Sequence, residues 1–146
     1  MNVDIRPATR SDLDAIKILE DELHDYPVDP AKQWEHFEGS PDRDVLLAEV
    51  DGKVVGMVKL NLVYKLSKVM VYLDELVVLK SQRGGGIGSR LMKAAEQWSW
   101  NHGADIIDFS SRGKDPGALT FYAKLGYQER SAKLYRKLRE GYDGSR

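Results

Sequence analysis

Leu76-Val77-Val78-Leu79-Lys80-Ser81-Gln82-Arg83-Gly84-Gly85-Gly86-Ile87-Gly88 joins an apolar strand to an amphipathic helix through a run of glycines. Upstream, residues 69–79 predict a strand that is apolar on both alternating faces. Val69, Val71, Leu73 and Val77 lie on one face, and Met70, Tyr72, Leu76 and Val78 on the other. Such a strand is central in its sheet and covered on both sides. Downstream, Ile87, Leu91, Ala94, Ala95 and Trp98 recur at helical spacing, and His102-Gly103 ends that helix. Residues 106–109 then predict a strand, so strand, helix and strand form a parallel crossover.

The rest of the chain extends this core in both directions. Residues 3–7 predict a first strand. Ser11 reads as the N-cap of a helix over 11–24, with Leu13, Ile16, Leu19 and Leu23 on its apolar face. Pro27 and Pro30 break it, and residues 31–38 predict a short second helix. Residues 45–50 and 54–64 flank Asp51-Gly52 and predict a hairpin. Asp115-Pro116 opens a last helix carrying Ala118, Phe121, Tyr122 and Leu125, ended by Gly126. Residues 127–129 and 133–138 are expected as a closing pair of strands. The sum is an α/β fold: a mixed, mostly antiparallel central sheet flanked by helices on both faces. Residues 1–140 are expected to form a single domain, with 141–146 a polar tail.

Composition narrows the function classes. The chain of 146 residues carries 22 Lys+Arg against 23 Asp+Glu, for a net charge of -1. That balance argues against broad binding of nucleic acid. No run approaches the ~20 apolar residues that span a membrane. No cysteine is present, which removes disulfides, thiolate zinc sites and cysteine nucleophiles. A cytoplasmic protein without a membrane segment is expected. Residues 1–30 hold eight acids against three bases, either a solvated face or a surface that receives a cationic substrate. His24, His36 and His102 show no mutual metal-ligand spacing; solvated or capping roles are expected for each, and no metal.

The glycine run has competing readings. Backbone N–H groups at a helix N-terminus can hold a phosphate where glycines let it approach. No Gly-Lys-Ser/Thr ends the run, so it is not a Walker A loop, and Ser89 stands where a dinucleotide fingerprint needs its third glycine. Glycines alone leave a tight turn as good a reading as a ligand cradle.

The wider pattern decides. Residues 76–88 closely resemble the acyl-CoA-binding motif of the GNAT N-acetyltransferase superfamily, with Arg83, Gly86 and Gly88 at its defined positions. Ala118-Leu119-Thr120-Phe121-Tyr122-Ala123-Lys124-Leu125-Gly126-Tyr127 resembles that family's second signature. Ile5-Arg6-Pro7-Ala8-Thr9 and the hairpin over residues 48–56 are similar to its opening and its hairpin. Asp115 departs from the pattern, since many relatives carry Asn there; it either contacts the cofactor or only caps a helix. There is also a faint similarity to aminoalkyl-phosphonate acetyltransferases, through the same general motifs.

The resemblance implies a direct transfer from acetyl-CoA, as cosubstrate, to a primary amine in a ternary complex. The backbone amides of Arg83, Gly84, Gly85, Gly86, Ile87, Gly88 and Ser89 would hold the pyrophosphate. Leu76, Val77 and Val78 would pair with the pantetheine arm like an added strand. The Val78 N–H would steady the oxyanion, and Tyr122 would protonate the departing thiolate. The amine must lose a proton, and Asp74 and Glu75 supply two carboxylates within the apolar strand. Burial would raise a carboxylate's pKa and make it a better base. Strand alternation sends the two to opposite sides, so only one is expected to face the substrate; Glu75 is slightly preferred for reach. A small-molecule amine is the expected acceptor, with a protein or peptide amine and a homodimer left open. Two other classes compete: a non-catalytic acyl-CoA-binding sensor on the same fold, and a nucleotide-binding switch, which lacks the lysine and metal-binding residues it needs.

Overall fold

A computed structural model describes residues 2–111 and 116–143. The chain divides into two compact units, one up to Ser110 and one from Ser111. In chain order the first contains β1 (Val3–Pro7), α1 (Leu13–Leu23), α2 (Ala31–Trp34), β2 (Arg43–Val50), β3 (Lys53–Tyr64), β4 (Val69–Val78), α3 (Ile87–Asn101) and β5 (Ile106–Asp108). One sheet holds the strands in the order β1-β2-β3-β4-β5. Strands joined by short turns pair antiparallel, and β4 pairs parallel with β5 because α3 carries the chain back across the sheet. The expected fold class is what the chain adopts.

Local chemistry explains the joints. Asp51 and Gly52 both take left-handed backbone angles, φ 52° and 81°. A two-residue turn of that hand matches the twist of β2 and β3. The entry to α1 differs from expectation: a single 3-10 turn, Arg10–Asp12, precedes it, and Thr9 rather than Ser11 caps that turn. Arg6 is the reason. Its guanidinium grips both Asp12 oxygens at 2.8 Å, while the Thr9 N–H donates to Asp12 Oδ2 at 2.7 Å, so the turn starts two residues early. The expected helix over 31–38 is only the four residues of α2, followed by turns.

The sheet is covered on both sides, as the doubly apolar β4 requires. Ile16 and Leu19 of α1 pack with Trp34, Val45, Leu47, Met57 and Val77 on one face. On the other, α3 crosses close above β3. A Cβ at Gly56 would stand 3.1 Å from Leu91 Cδ1 and 3.1 Å from the Val77 carbonyl, so only glycine permits that approach. Ile87, Leu91, Met92 and Ala95 are buried there. Gly103 (φ 82°) closes α3, with Gly103 and Ala104 donating back to the Trp100 and Ser99 carbonyls.

The second unit contains α4 (Pro116–Lys124), ended by Gly126 at φ 91°. Asp115, expected as its cap, lies outside the described residues. The expected closing strands are not formed: residues 127–139 carry no strand. Leu134 and Tyr135, large apolar residues of the second expected strand, are 84% and 91% exposed, so no buried face fixes a register for it. Among the described residues no helix is long and apolar enough to cross a membrane.

Candidate active site

The register of β3 against β4 shifts in mid-strand. Met57 pairs with Val77 but Lys59 pairs with Asp74, so Glu75 and Leu76 together oppose Val58. This is a β-bulge, and Glu75 sits in it at φ 53°. Left-handed backbone in a residue other than glycine costs on the order of 1–3 kcal/mol and gathers at functional sites. The Asp74 carboxylate accepts the Glu75 N–H at 2.9 Å and helps hold the turn.

The bulge overturns the expectation that Asp74 and Glu75 face opposite sides. Strict alternation fails across the extra residue, and both carboxylates reach one cation. Lys59 Nζ lies 3.3 Å from Asp74 Oδ2 and 3.3 Å from Glu75 Oε1. The three groups differ in burial: Asp74 is nearly half exposed at its side chain, Lys59 and Glu75 much less.

Two further groups join them, one from α1 and one from the residue that follows it. Glu20 is buried, and its carboxyl lies within 4.8 Å of that of Glu75. His24, one turn on, lies with Nε2 3.1 Å from Glu20 Oε2. Ligand-type atoms of Glu20, His24 and Glu75 all fall within 4.8 Å of one another. Glu75, one of the three, is also the partner of the Lys59 ammonium at 3.3 Å.

Electrostatics divides the carboxyls. Burial pushes Glu20 up, and the adjoining Glu75 adds to it, to about 9. Burial also pushes Glu75 up, but the Glu20 hydrogen bond and the Lys59 charge outweigh it and hold Glu75 below the usual range. Burial works against the Lys59 charge, and the pull of Glu75 and Asp74 overcomes it. The expected upward shift therefore falls on Glu20 rather than on the strand acid.

Sequence reading missed Glu20 and Lys59; His24 is the C-cap of α1, one of the roles expected for it, and its ring also meets Glu20. A signal existed. Glu20 occupies an apolar position of α1, following Ile16 and Leu19 at the spacing of the buried face. Lys59 interrupts an apolar strand between Val58 and Leu60, which are fully buried. The acidic N-terminal segment is also less free than a solvated face would be. Asp12 is held by Arg6, Asp21 by Lys17, and Glu22 accepts the Lys80 N–H and pairs with Arg83.

Beyond the bulge, β4 has one open side. β5 pairs with it only from Met70 to Tyr72, so among the described residues 73–78 have no ladder partner there. The Leu79 N–H bonds the Val55 carbonyl on β3 at 2.8 Å. Successive residues of a strand aim their polar groups to opposite sides, so Val78 aims away from β3. Its carbonyl accepts Arg83 Nε at 2.9 Å. Leu76 and Val78 are half-buried on this edge, whereas Val77 is part of the core.

The glycine run follows directly. Gly84 and Gly86 take φ 88° and 83°, and a Cβ at either would meet nothing within 4 Å. Gly86 is the residue before α3, so the unpaired N–H groups of a 15-residue helix open beside space that these glycines leave clear. Ile87 turns inward and is buried, so its side chain anchors the loop to the core. The chain from Arg83 to Ser89 thus fits an anionic ligand at its backbone.

In the second unit, Tyr122 lies on α4 between Phe121 and Tyr127, with ring centroids 5.3 Å and 6.4 Å away, both edge-on. Burial raises its phenol above the usual tyrosine value, so the hydroxyl keeps its proton at neutral pH.

Comparison with known proteins bears on the family and the fold. The sequence pattern described as "Acetyltransferase (GNAT) family" matches residues 13–127, across both units. The aminoalkylphosphonate N-acetyltransferase of Salmonella typhimurium is 32% identical over 131 residues, covering 86% of this chain and 85% of that one. An uncharacterized N-acetyltransferase of Methanocaldococcus jannaschii is 30% identical, covering 86% and 78%. Among solved structures, AAC(6')-Iy in complex with the bisubstrate analogue CoA-S-monomethyl-acetylneamine superposes with a TM-score of 0.84 at 21% identity, over 95% of this chain and 99% of that one.

Proposed function

The chain belongs to the acetyltransferase (GNAT) family and is an acetyl-transferring enzyme; from that premise we propose that residues 1–140 act as a single cytoplasmic domain that acetylates a small primary amine. The observation that carries this reading is one ionised carboxylate, Glu75, held by a strained bulge beside the open edge of β4. Acetyl-CoA, when bound, supplies the activated acyl carbon.

This chain's residues serve the transfer as follows. The amides from Arg83 to Ser89 hold the pyrophosphate, in the space that Gly84 and Gly86 keep clear. The edge from Leu76 to Val78 pairs with the extended pantetheine arm, and the Val78 N–H hydrogen-bonds the thioester oxygen as negative charge develops on it. An alkylammonium has a pKa near ~10.4 and must lose a proton before attack. Glu75 takes that proton, with Asp74 beside it on the exposed side. As the C–N bond forms and the C–S bond breaks, the Tyr122 phenol gives its proton to the sulfur; the nitrogen sheds its second proton, which restores the phenol, and Glu75 releases the first to solvent. Asp115 stays a candidate helix cap or cofactor contact.

The acceptor class follows from charge and from likeness. With Glu20 neutral, the carboxylates of Asp74 and Glu75 still outnumber the Lys59 ammonium, which suits a cationic substrate. The relative named for aminoalkylphosphonates makes such a compound the first acceptor to try. The sensor alternative leaves the carboxylate pair and its strained backbone without a task. CoA thiol release from acetyl-CoA, measured across an aminoalkylphosphonate, an aminoglycoside and a peptide with a free N-terminus, tests the reading. Release that depends on a small amine supports it. Silence with every amine, or release without any, overturns it.

A further inference from the structure

The proposed reaction leaves one buried group without a task. Glu20 lies on α1, on the face turned to the sheet, and only 7% of its surface is exposed. A carboxylate so placed is costly unless it is paired with a cation or is protonated. Lys59 does not reach it directly: the lysine's hydrogen bond and ion pairs go to Glu75 and Asp74. The polar neighbours of Glu20 are another carboxyl, Glu75, within 4.8 Å, and the His24 ring at 3.1 Å.

Two carboxyl groups in hydrogen-bond contact share one proton, because two negative charges there repel. The proton belongs on the member with less help for its charge. Glu75 has the permanently charged Lys59 ammonium at 3.3 Å; Glu20 has the His24 ring at 3.1 Å, a cation only when that ring is protonated. We propose that Glu20 is a positioning residue for the transfer: as a neutral carboxylic acid it donates a hydrogen bond to the Glu75 carboxylate and holds it toward the amine. The inference rests on the reading of Glu75 as the proton acceptor. His24 completes the arrangement by donating Nε2–H to Glu20 Oε2, which leaves Glu20's own proton for Glu75. Glu75 needs such a guide, since its φ of 53° is one that its own backbone does not favour.

The groups facing Glu20 set its pH range. They are His24 at the end of α1, Glu75 and Asp74 from β4, and Lys59 from β3. Burial, Glu75 and Asp74 outweigh the opposing Lys59 charge and hold the Glu20 proton up to about pH 9. Above that, Glu20 ionises, the donated hydrogen bond is lost, and two carboxylates push apart.

The test compares Glu20→Gln with Glu20→Ala. Gln keeps an N–H donor for Glu75 and an oxygen for His24 but cannot ionise; Ala keeps neither. With any amine that the wild type acetylates, kcat of the wild type should fall as pH rises through about 9. E20Q should lack that fall, and at pH 7 it should turn over faster than E20A by on the order of tenfold to 100-fold. Equal losses in E20Q and E20A, or an unmoved alkaline limb in E20Q, overturn the proposal. A carbon-13 titration of the glutamate carboxyls reads the same pair without turnover, so it stands even if no amine is accepted. One carboxyl titrating near pH 9 in the wild type and absent in E20Q is expected. Every glutamate titrating below about pH 6 contradicts it.

Discussion

Glu75 takes a left-handed backbone angle, φ 53°, and sets its Oε1 3.3 Å from Lys59 Nζ. Burial alone would drive both groups toward their neutral forms. Their mutual attraction, with Asp74 on the lysine and Glu20 on the glutamate, reverses this and keeps both charged. The bulge serves that pairing, because it brings two consecutive carboxylates to one ammonium.

Lys59→Met removes the cation and keeps the length of the side chain. Glu75 then loses its main charge partner and its pKa rises, so the ascending limb of kcat against pH moves upward. The variant is also destabilised by roughly 2 kcal/mol, less than a fully buried pair would cost because both side chains are about one-fifth exposed. Glu75 is held below its unfolded value, so its stabilisation is present above about pH 4.3 and is lost as pH falls. Urea unfolding at pH 7 and pH 3 should show the penalty shrinking at the lower pH. A penalty that grows there would count against the pair.

Asp12 and Arg6 secure the entry to α1, and with it the height at which Glu20 meets the sheet. The Arg6 hydrogen bonds hold the Asp12 carboxyl at about 2. Against an unfolded value near ~3.9, that contributes about 2 kcal/mol above pH 4, lost as pH falls toward 2. Asp12→Asn should lower stability by that amount at pH 7 and by much less at pH 2.5, as read by thermal unfolding at each pH.

Tyr122→Phe removes the phenol and leaves the ring among Phe121 and Tyr127. Turnover should fall by on the order of 100-fold, the range for a lost general acid. Acetyl-CoA affinity, measured by calorimetry, should change little. Unchanged turnover removes Tyr122 from the acid role.

Most of the fold was legible in the sequence because each element announced itself by local pattern. The two apolar faces of residues 69–79 required a covered central strand, and Asp51-Gly52 required a hairpin. The glycine run could be placed at the mouth of α3 from its neighbours alone. The site was only partly legible. Asp74 and Glu75 stood out as acids in an apolar strand, but their direction depended on a bulge, and a bulge at a glutamate leaves no glycine to mark it. Glu20 and Lys59 come from elements 39 residues apart in the chain, and only the packing of α1 on β3 and β4 brings them to one place. The closing strands failed for another reason: their β-formers were present, but Leu134 and Tyr135 stay exposed, and local pattern does not tell whether a face is buried.

Glu75→Gln measures the central claim most directly. Glutamine keeps the size of the side chain and its contact with Glu20 but cannot take the amine's proton. With a small primary amine and acetyl-CoA, kcat should drop by 100-fold or more, on the order of 10²–10⁴, while the acetyl-CoA dissociation constant stays within a few-fold. Turnover in E75Q near that of the wild type, at any pH between 6 and 9, would contradict a carboxylate at the bulge as the proton acceptor.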